Sequence, residues 1–443
     1  MKNIFVKTFV FVAFVFLLLS LCVSAESYDV YVCGIQITDE NASDVLGEMD
    51  EGASVSYDAS TSTLTLDNAH LTGFGTHFYD SNSCICYDGG LNVVLVGDNS
   101  ISVIPNEDEL RQFAMAFMGW QNITITSEEE ATLDIDIGTS TRENFGFYIM
   151  EGGADFSGKV SVDIELADVV ITDDFSYNVN ATFGNSIGIH AEGDIHFHDD
   201  VSVRCKTGNI FVPEDSAFVG TTDELNSGGT SVGIATFGEL LFDTTGEMYF
   251  YVGDADGKRA GIASFNNFEI RSGNVVVEMA PSKGEYLIGG PVVYFTMTDA
   301  YPCVPLCGDA EENMVTGKIT EIMLAGIPLK TYTNADGSLP TYAKLVPAVI
   351  GIPEFVTNSD GNTEISVSVE DEEKTQNALV VFSAYNSFGK MIDVKFTLGS
   401  SSQDGKISTE LNISDAVRVV VFVFENSTSM KPLTHQLEIT DLT

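Results

Sequence analysis

Three stretches of the chain open on Gly-Ile and then follow one plan. They are GIHAEGDIHFHDDVSV (188–203), GIATFGELLFDTTGEMYFYV (233–252) and GIASFNNFEIRSGNVVVEM (261–279). Each has a small polar turn, then two short strands of alternating apolar residues around a second turn. Alternation at period two puts the apolar set on one face of a strand. The inward pairs are then Ile195/Phe197, Leu240/Phe242 and Phe268/Ile270, followed by Val201/Val203, Met248/Phe250 and Val275/Val277. Looser copies precede them at 89–103, 119–137 and 152–172. A unit this short cannot bury its apolar side alone, so copies must stack. The Gly-Ile starts lie 45 and 28 residues apart. That is too uneven for propeller blades of one size and suits a coil whose turns carry loops of different length. The expected fold over residues 26–345 is all-β: a right-handed parallel β-helix of stacked strand repeats, with a β-sandwich array as the alternative.

The pattern fades after about Met279, and 334–347 (NADGSLPTYAKLVP) reads as a linker from its Gly, Pro and Asp. From Ile350 the strands lengthen: TEISVSVE, NALVVFSAY, MIDVKFTL, KISTELNI, VRVVVFVFE and HQLEITDL. So many strands in so short a stretch predict a separate small β-sandwich over 346–443. Helix signals are confined to 41–48 and 106–118, where Asn41 and Asn106 are the predicted caps.

The first 25 residues predict secretion. Lys2 and Lys7 precede the uncharged run Phe9 to Leu21, and Val23-Ser24-Ala25 forms a small-x-small cleavage site before Glu26. That order is a signal peptide, and the run is too short for a membrane helix. Bulky Leu21 before Cys22 argues against a lipoprotein. No later segment reads as transmembrane. The whole chain carries 65 acidic and 20 basic residues, net −45, and residues 26–300 hold 46 acidic against 9 basic. A surface so acidic excludes nucleic acid and anionic membranes as partners. It is suited to Ca²⁺, the one cofactor expected, and predicts modest Ca²⁺ stabilisation. A hydrophobic content of 44% excludes disorder. Loss of Cys22 with the leader leaves Cys33, Cys84, Cys86, Cys205, Cys303 and Cys307, an even set whose pairing the sequence leaves open.

Two resemblances follow from particular blocks. YDVYVCGIQITDENASDVLGE (28–48), VSYDASTSTLTLDNAHL (55–71) and GGLNVVLVGDNSI (89–101), in this order and spacing, resemble the opening of secreted clostridial β-helical repeat proteins labelled carbohydrate-binding domain-containing. That resemblance implies a β-helix to about residue 345 and glycan binding. VFSAYNSFGKMIDV (381–394) and VRVVVFVFENSTSMKPL (417–433) resemble a β-sandwich module appended to clostridial extracellular polysaccharide-active proteins. Phe424 stands nearest the place where that module commonly has a Trp.

Catalytic signatures are sparse. A pectin-lyase-like reaction needs a basic side chain, for which Arg271 is the best placed. A hydrolase needs two carboxylates about 5–10 Å apart. Asp173/Asp174 and Asp199/Asp200 are adjacent pairs, which point to opposite faces of a strand. No G-x-S-x-G, H-E-x-x-H or phosphate loop is present. Cys303-x3-Cys307 lacks the second pair of a zinc site. His196 and His198 share an outward face with Asp194 and Asp200, making those four the candidate metal ligands, and His190 lies one turn earlier.

These observations predict an extracellular, non-enzymatic binding or adhesion protein. Its expected partner is a neutral polysaccharide or surface glycan, since an acidic one would be repelled. Tyr249 and Tyr251, which alternate against Met248, Phe250 and Val252, are the candidate ligand-binding residues. A polysaccharide lyase or glycoside hydrolase on the same scaffold is the alternative, and an inert cell-surface spacer the second.

Overall fold

The computed structural model describes residues 27–281 apart from 48, 51, 74, 77–81, 105–112, 172–183, 212–228 and 256–257. It further describes 293–295, 303–347 apart from 325–326, and 354–439 apart from 358–362, 370–374, 400–404, 429–432 and 434–436. The predicted signal peptide, Asp173 and Asp174 lie outside the described residues. The protein is all-β.

The repeats build two long sheets, so that each turn of chain gives one strand to the first and a longer stretch to the second. Sheet 1 runs through Asn82–Tyr87, Phe113–Gly119, Glu143–Ile149, Asn185–Ala191, Thr230–Thr236, Lys258–Ser264 and Val293–Phe295, every neighbouring pair parallel. Sheet 2 runs in parallel from Thr63–Asp67 through Leu91–Val96, Ile123–Ile137, Ala154–Leu166 and Ile195–Asp199 to Leu240–Val252 and Phe268–Met279. Both sheets are mixed, because antiparallel strands close their ends: Ser27–Val32 and Ile35–Thr38 at the start, Tyr342–Val346 and Ile327–Thr333 at the finish. An antiparallel end strand can turn back across an otherwise open edge and cover it.

The inward pairs predicted from the repeats are all buried. Their rings stack from turn to turn. Phe156, Phe197 and Phe242 lie 4.9 and 5.2 Å apart in succession, and Phe117 stacks on Phe147 at 4.6 Å. The glycine that opens each repeat has a steric cause. A Cβ on Gly188 would come within 2.5 Å of the Gly233 carbonyl oxygen, and one on Gly233 within 2.6 Å of that of Gly261. A side chain at Gly188 or Gly233 would push these neighbouring backbones apart, whereas the strands Phe113–Gly119 and Asn82–Tyr87 carry Ala116 and Cys84 between the same register pairs.

Three expectations need correction. Residues 41–46 form turns: Asn41 Oδ1 accepts from the Thr38 amide at 2.7 Å and its Nδ2 donates to the Gln36 carbonyl at 3.0 Å, so this side chain ties a turn. Residues 113–118, the described part of the second predicted helix, belong to the strand Phe113–Gly119, held between two parallel neighbours. The predicted linker contains the strand Tyr342–Val346, whose Ala343 and Leu345 are buried. The six cysteines are free thiols. Cys84 lies in the main core and Cys86 in the apolar cluster behind sheet 1.

Among the described residues, seven strands from Glu354 onward form two antiparallel sheets, of three and four strands, around a cluster that includes Val380, Phe382, Ile365 and Val421. Val304 and Val346, from the end of sheet 2, pack into the same cluster.

Candidate functional site

The outward side of sheet 1 carries an apolar ribbon at the carboxyl ends of its strands. In register, Tyr87, Gly119, Ile149, Ala191, Thr236 and Ser264 form one column across the turns. The residue after each strand continues the ladder. The amides of Trp120, Met150, Glu192, Phe237 and Phe265 donate to Tyr87, Gly119, Ile149, Ala191 and Thr236 respectively, at 2.9–3.3 Å. These five side chains therefore recur at the inter-strand spacing, over about 19 Å.

The column two residues earlier adds Tyr148 and His190. Tyr148 stacks on His190 at 5.3 Å between ring centroids. His190 meets Phe237 edge-on at 6.3 Å, and Phe237 stacks on Phe265 at 4.8 Å. Phe237 is 49% exposed, and Trp120, Tyr148, Met150 and Phe265 are half-buried. The ribbon is largely uncharged. Burial lowers the His190 pKa to about 4, which keeps its ring neutral at pH 7. Burial, then Glu143 and Glu192, raise that of Tyr148. Glu192 is the charged member of the column.

The predicted residues lie on the other long sheet. Tyr249 and Tyr251 do point outward from sheet 2, opposite buried Met248, Phe250 and Val252. The Tyr249 hydroxyl donates to Glu278 Oε2 at 2.6 Å, and the Arg204 guanidinium sits 6.0 Å from its ring centroid. Burial and Glu278 both raise the Tyr249 pKa. Its polar tip and one approach to its ring are thus already engaged within the protein.

His196 and His198 share the outward face of sheet 2, but the carboxylate beside them is that of Asp155, directly opposite His196 on the neighbouring strand. Asp194 and Asp200 do not join them. Asp194 Oδ1 accepts from the Glu239 amide at 2.6 Å, and Asp200 Oδ1 from the Thr245 hydroxyl at 3.1 Å. The cause is local: Asp199 has φ +56°, so the chain leaves the strand before Asp200. His190 is in sheet 1. Arg271 is bound at Nε and Nη2 by Glu269, at 3.0 and 2.9 Å. Asp199 Oδ2 accepts from the Gly158 amide of the preceding turn at 2.9 Å.

Among the described residues, no helix is long and apolar enough to cross a membrane. No family model, curated protein or solved structure matches the chain.

Sequence reasoning missed the ribbon, although a signal was present. In GIHAE, GIATF and GIASF the fifth residue is Glu192, Phe237 and Phe265. The aromatic recurs at one position of the unit, just past the strand, where alternation gives no guide to its direction.

Proposed function

We propose that this is a secreted, non-enzymatic glycan-binding protein, and that the ribbon Trp120–Tyr148–His190–Phe237–Phe265 is its binding surface. The reading takes residues 1–25 as a signal peptide and the coil of 26–345 as a right-handed parallel β-helix. Residues 346–443 are read as a β-sandwich module, with the clostridial resemblance extending over both parts. The observation that carries the reading is the ribbon itself, in which aromatic rings from two adjacent columns follow one another from Tyr148 to Phe265 at centroid distances of 5.3, 6.3 and 4.8 Å, with Trp120 one strand further on. Aromatic rings offer flat apolar faces, and those with a polar tip suit a partly wet contact. An extended polysaccharide presents the faces of its sugar rings with comparable regularity. The ribbon is nearly uncharged on a chain of net −45, which favours a neutral polymer over an acidic one.

The test is retention of the full chain on insoluble neutral polysaccharides, with and without Ca²⁺, beside a reducing-sugar and unsaturated-product assay. Phe237→Ala should reduce retention at least tenfold with little change in thermal midpoint, because Phe237 is half exposed. Tyr249→Phe should leave retention unchanged. Retention that survives Phe237→Ala and Trp120→Ala together overturns the assignment to the ribbon. Release of product overturns the non-enzymatic reading.

A further inference from the structure

We propose that Asp155, His196 and His198 form a binding site for a divalent transition metal ion, with Zn²⁺ the best fit. The site stands on sheet 2, away from the sheet 1 ribbon, and does not depend on glycan binding.

The strand Ile195–Asp199 presents His196 and His198 on one face, two residues apart. Asp155 is the register partner of His196 on the preceding turn. One ring nitrogen from each histidine and one Asp155 oxygen lie within 4.8 Å of one another. His198 Nε2 stands 3.4 Å from Asp155 Oδ2. Ligands 2.0–2.1 Å from a tetrahedral Zn²⁺ are about 3.3 Å apart. One edge of the triangle already has that length, and small rotations of the rings close the rest. Parallel pairing fixes the three Cα positions, so little order must be created on binding.

A second observation concerns His196 alone. Its Nε2 is buried and has no hydrogen-bond partner. Leu241, buried, is opposite His196 on the next strand. A buried polar atom without a partner carries a free-energy cost that a ligand would remove. Asp243, opposite His198, accepts from the Ser272 hydroxyl at 2.9 Å and adds negative potential beside the site.

The donor set selects the ion. Ca²⁺ and Mg²⁺ take oxygen ligands, and two imidazoles with one carboxylate suit them poorly. Zn²⁺, Cu²⁺, Ni²⁺ and Co²⁺ accept this set, and three protein ligands leave at least one position open to water or another ligand. The side chains of His198 and Asp155 are 34% and 42% exposed, so an ion can enter directly from solvent.

The experiment is titration of the chelator-treated full chain with Zn²⁺ by calorimetry, and with Co²⁺ by visible absorption. One ion per chain with low-micromolar affinity is expected, with nitrogen–oxygen coordination in the Co²⁺ spectrum. His196→Ala and His198→Ala should each weaken binding at least tenfold, and Asp155→Asn less. Asp194→Asn and Asp200→Asn should have no effect on affinity. Thermal midpoints in chelator identify any variant that fails to fold. Protection of His196 and His198 in the unaltered chain from histidine-directed acylation by Zn²⁺ then reads the site without mutation. Zn²⁺ uptake unchanged in His196→Ala/His198→Ala, no uptake by the wild-type chain, or no protection of these two rings overturns the proposal.

Discussion

Trp120, Met150, Glu192, Phe237 and Phe265 make one outward column of sheet 1, with a single charge among five residues. Ser100, Asp134, Asp163, Arg204 and Tyr249 make one outward column of sheet 2, with three charges among five. Both sheets turn similar residues inward: Phe147, Ile189, Ile234 and Ile262 from one, Phe156, Ile195, Leu240 and Phe268 from the other. The interior thus fixes what faces inward and leaves the outward chemistry free. The two faces therefore differ in charge where the core does not constrain them. Sheet 2 also bears a cost. Burial raises the Asp134 pKa first, and the neighbouring carboxylates of Asp163 and Asp98 raise it further. Its charge is tempered by cross-turn pairs, Arg204 with Asp163 at 3.4 Å and Lys206 with Glu165 at 2.5 Å.

The largest effects should come from the shared interior, and they separate the sheets by mechanism. Phe197→Ala deletes a ring stacked between Phe156 and Phe242 and should cost about 4 kcal/mol. Gly233→Ala adds a single carbon to sheet 1. It should cost about 3 kcal/mol, because that carbon meets the Gly261 carbonyl and the Phe250 ring. Gly89→Ala, where a Cβ would meet nothing within 4 Å, should stay within about 0.5 kcal/mol. Urea unfolding of the three variants checks this. Equal cost for Gly233→Ala and Gly89→Ala would remove the steric account of the Gly-Ile repeat.

The same asymmetry explains what could be read from the sequence. Sheet 2 strands alternate strictly, as in LDIDI, VSVDIEL and MYFYV, so their inward residues and the outward direction of Tyr249 and Tyr251 were legible. Sheet 1 strands such as FAMAFMG and GIAT are apolar on both faces. Period two fails there, which is why 106–118 reads as helical although its described part lies in the strand Phe113–Gly119. His196 and His198 were placed on the right face. Their carboxylate was not, because Asp155 lies 41 residues before His196 and only strand register brings them together. Asp194 and Asp200, close in sequence, are taken up by turns.

A smaller effect sharpens the comparison through acid. His190 has its Nδ1 buried without a partner. Burial lowers its pKa from 6.5 to about 4. The folded chain then binds fewer protons than the unfolded chain between those values. Stability from this group is fully present above about pH 6.5 and is lost as pH falls toward about 4. A shift of this size corresponds to about 3 kcal/mol, which Glu192 Oε1, 4.0 Å from Nε2, offsets in part. His190→Phe keeps a ring against Tyr148 and removes the titration. Urea unfolding from pH 7 to 4.5 should show a smaller loss of stability in His190→Phe than in wild type. Equal losses would mean that the ring is solvated and the ribbon more polar than its packing indicates.

The smallest effect has the opposite sign and lies on sheet 2. The pKa of Asp134 is raised, so the folded chain holds this proton more tightly than the unfolded chain. Its contribution is a penalty, present above the folded pKa and relieved as pH falls through it. Asp134→Asn removes that penalty and should stabilise the protein at pH 7 by about 0.5 kcal/mol, little because the residue is exposed and screened. The gain should vanish in acid, where the wild-type carboxyl is protonated. It should also shrink in about 1 M salt, where the screening length is about 3 Å and repulsion by Asp163 and Asp98 is damped. A His190→Phe/Asp134→Asn chain should combine the two responses additively, since the residues stand on different sheets. A gain from Asp134→Asn that persists unchanged in acid would point to a packing effect of the amide, and the contrast between the sheets would then not be electrostatic.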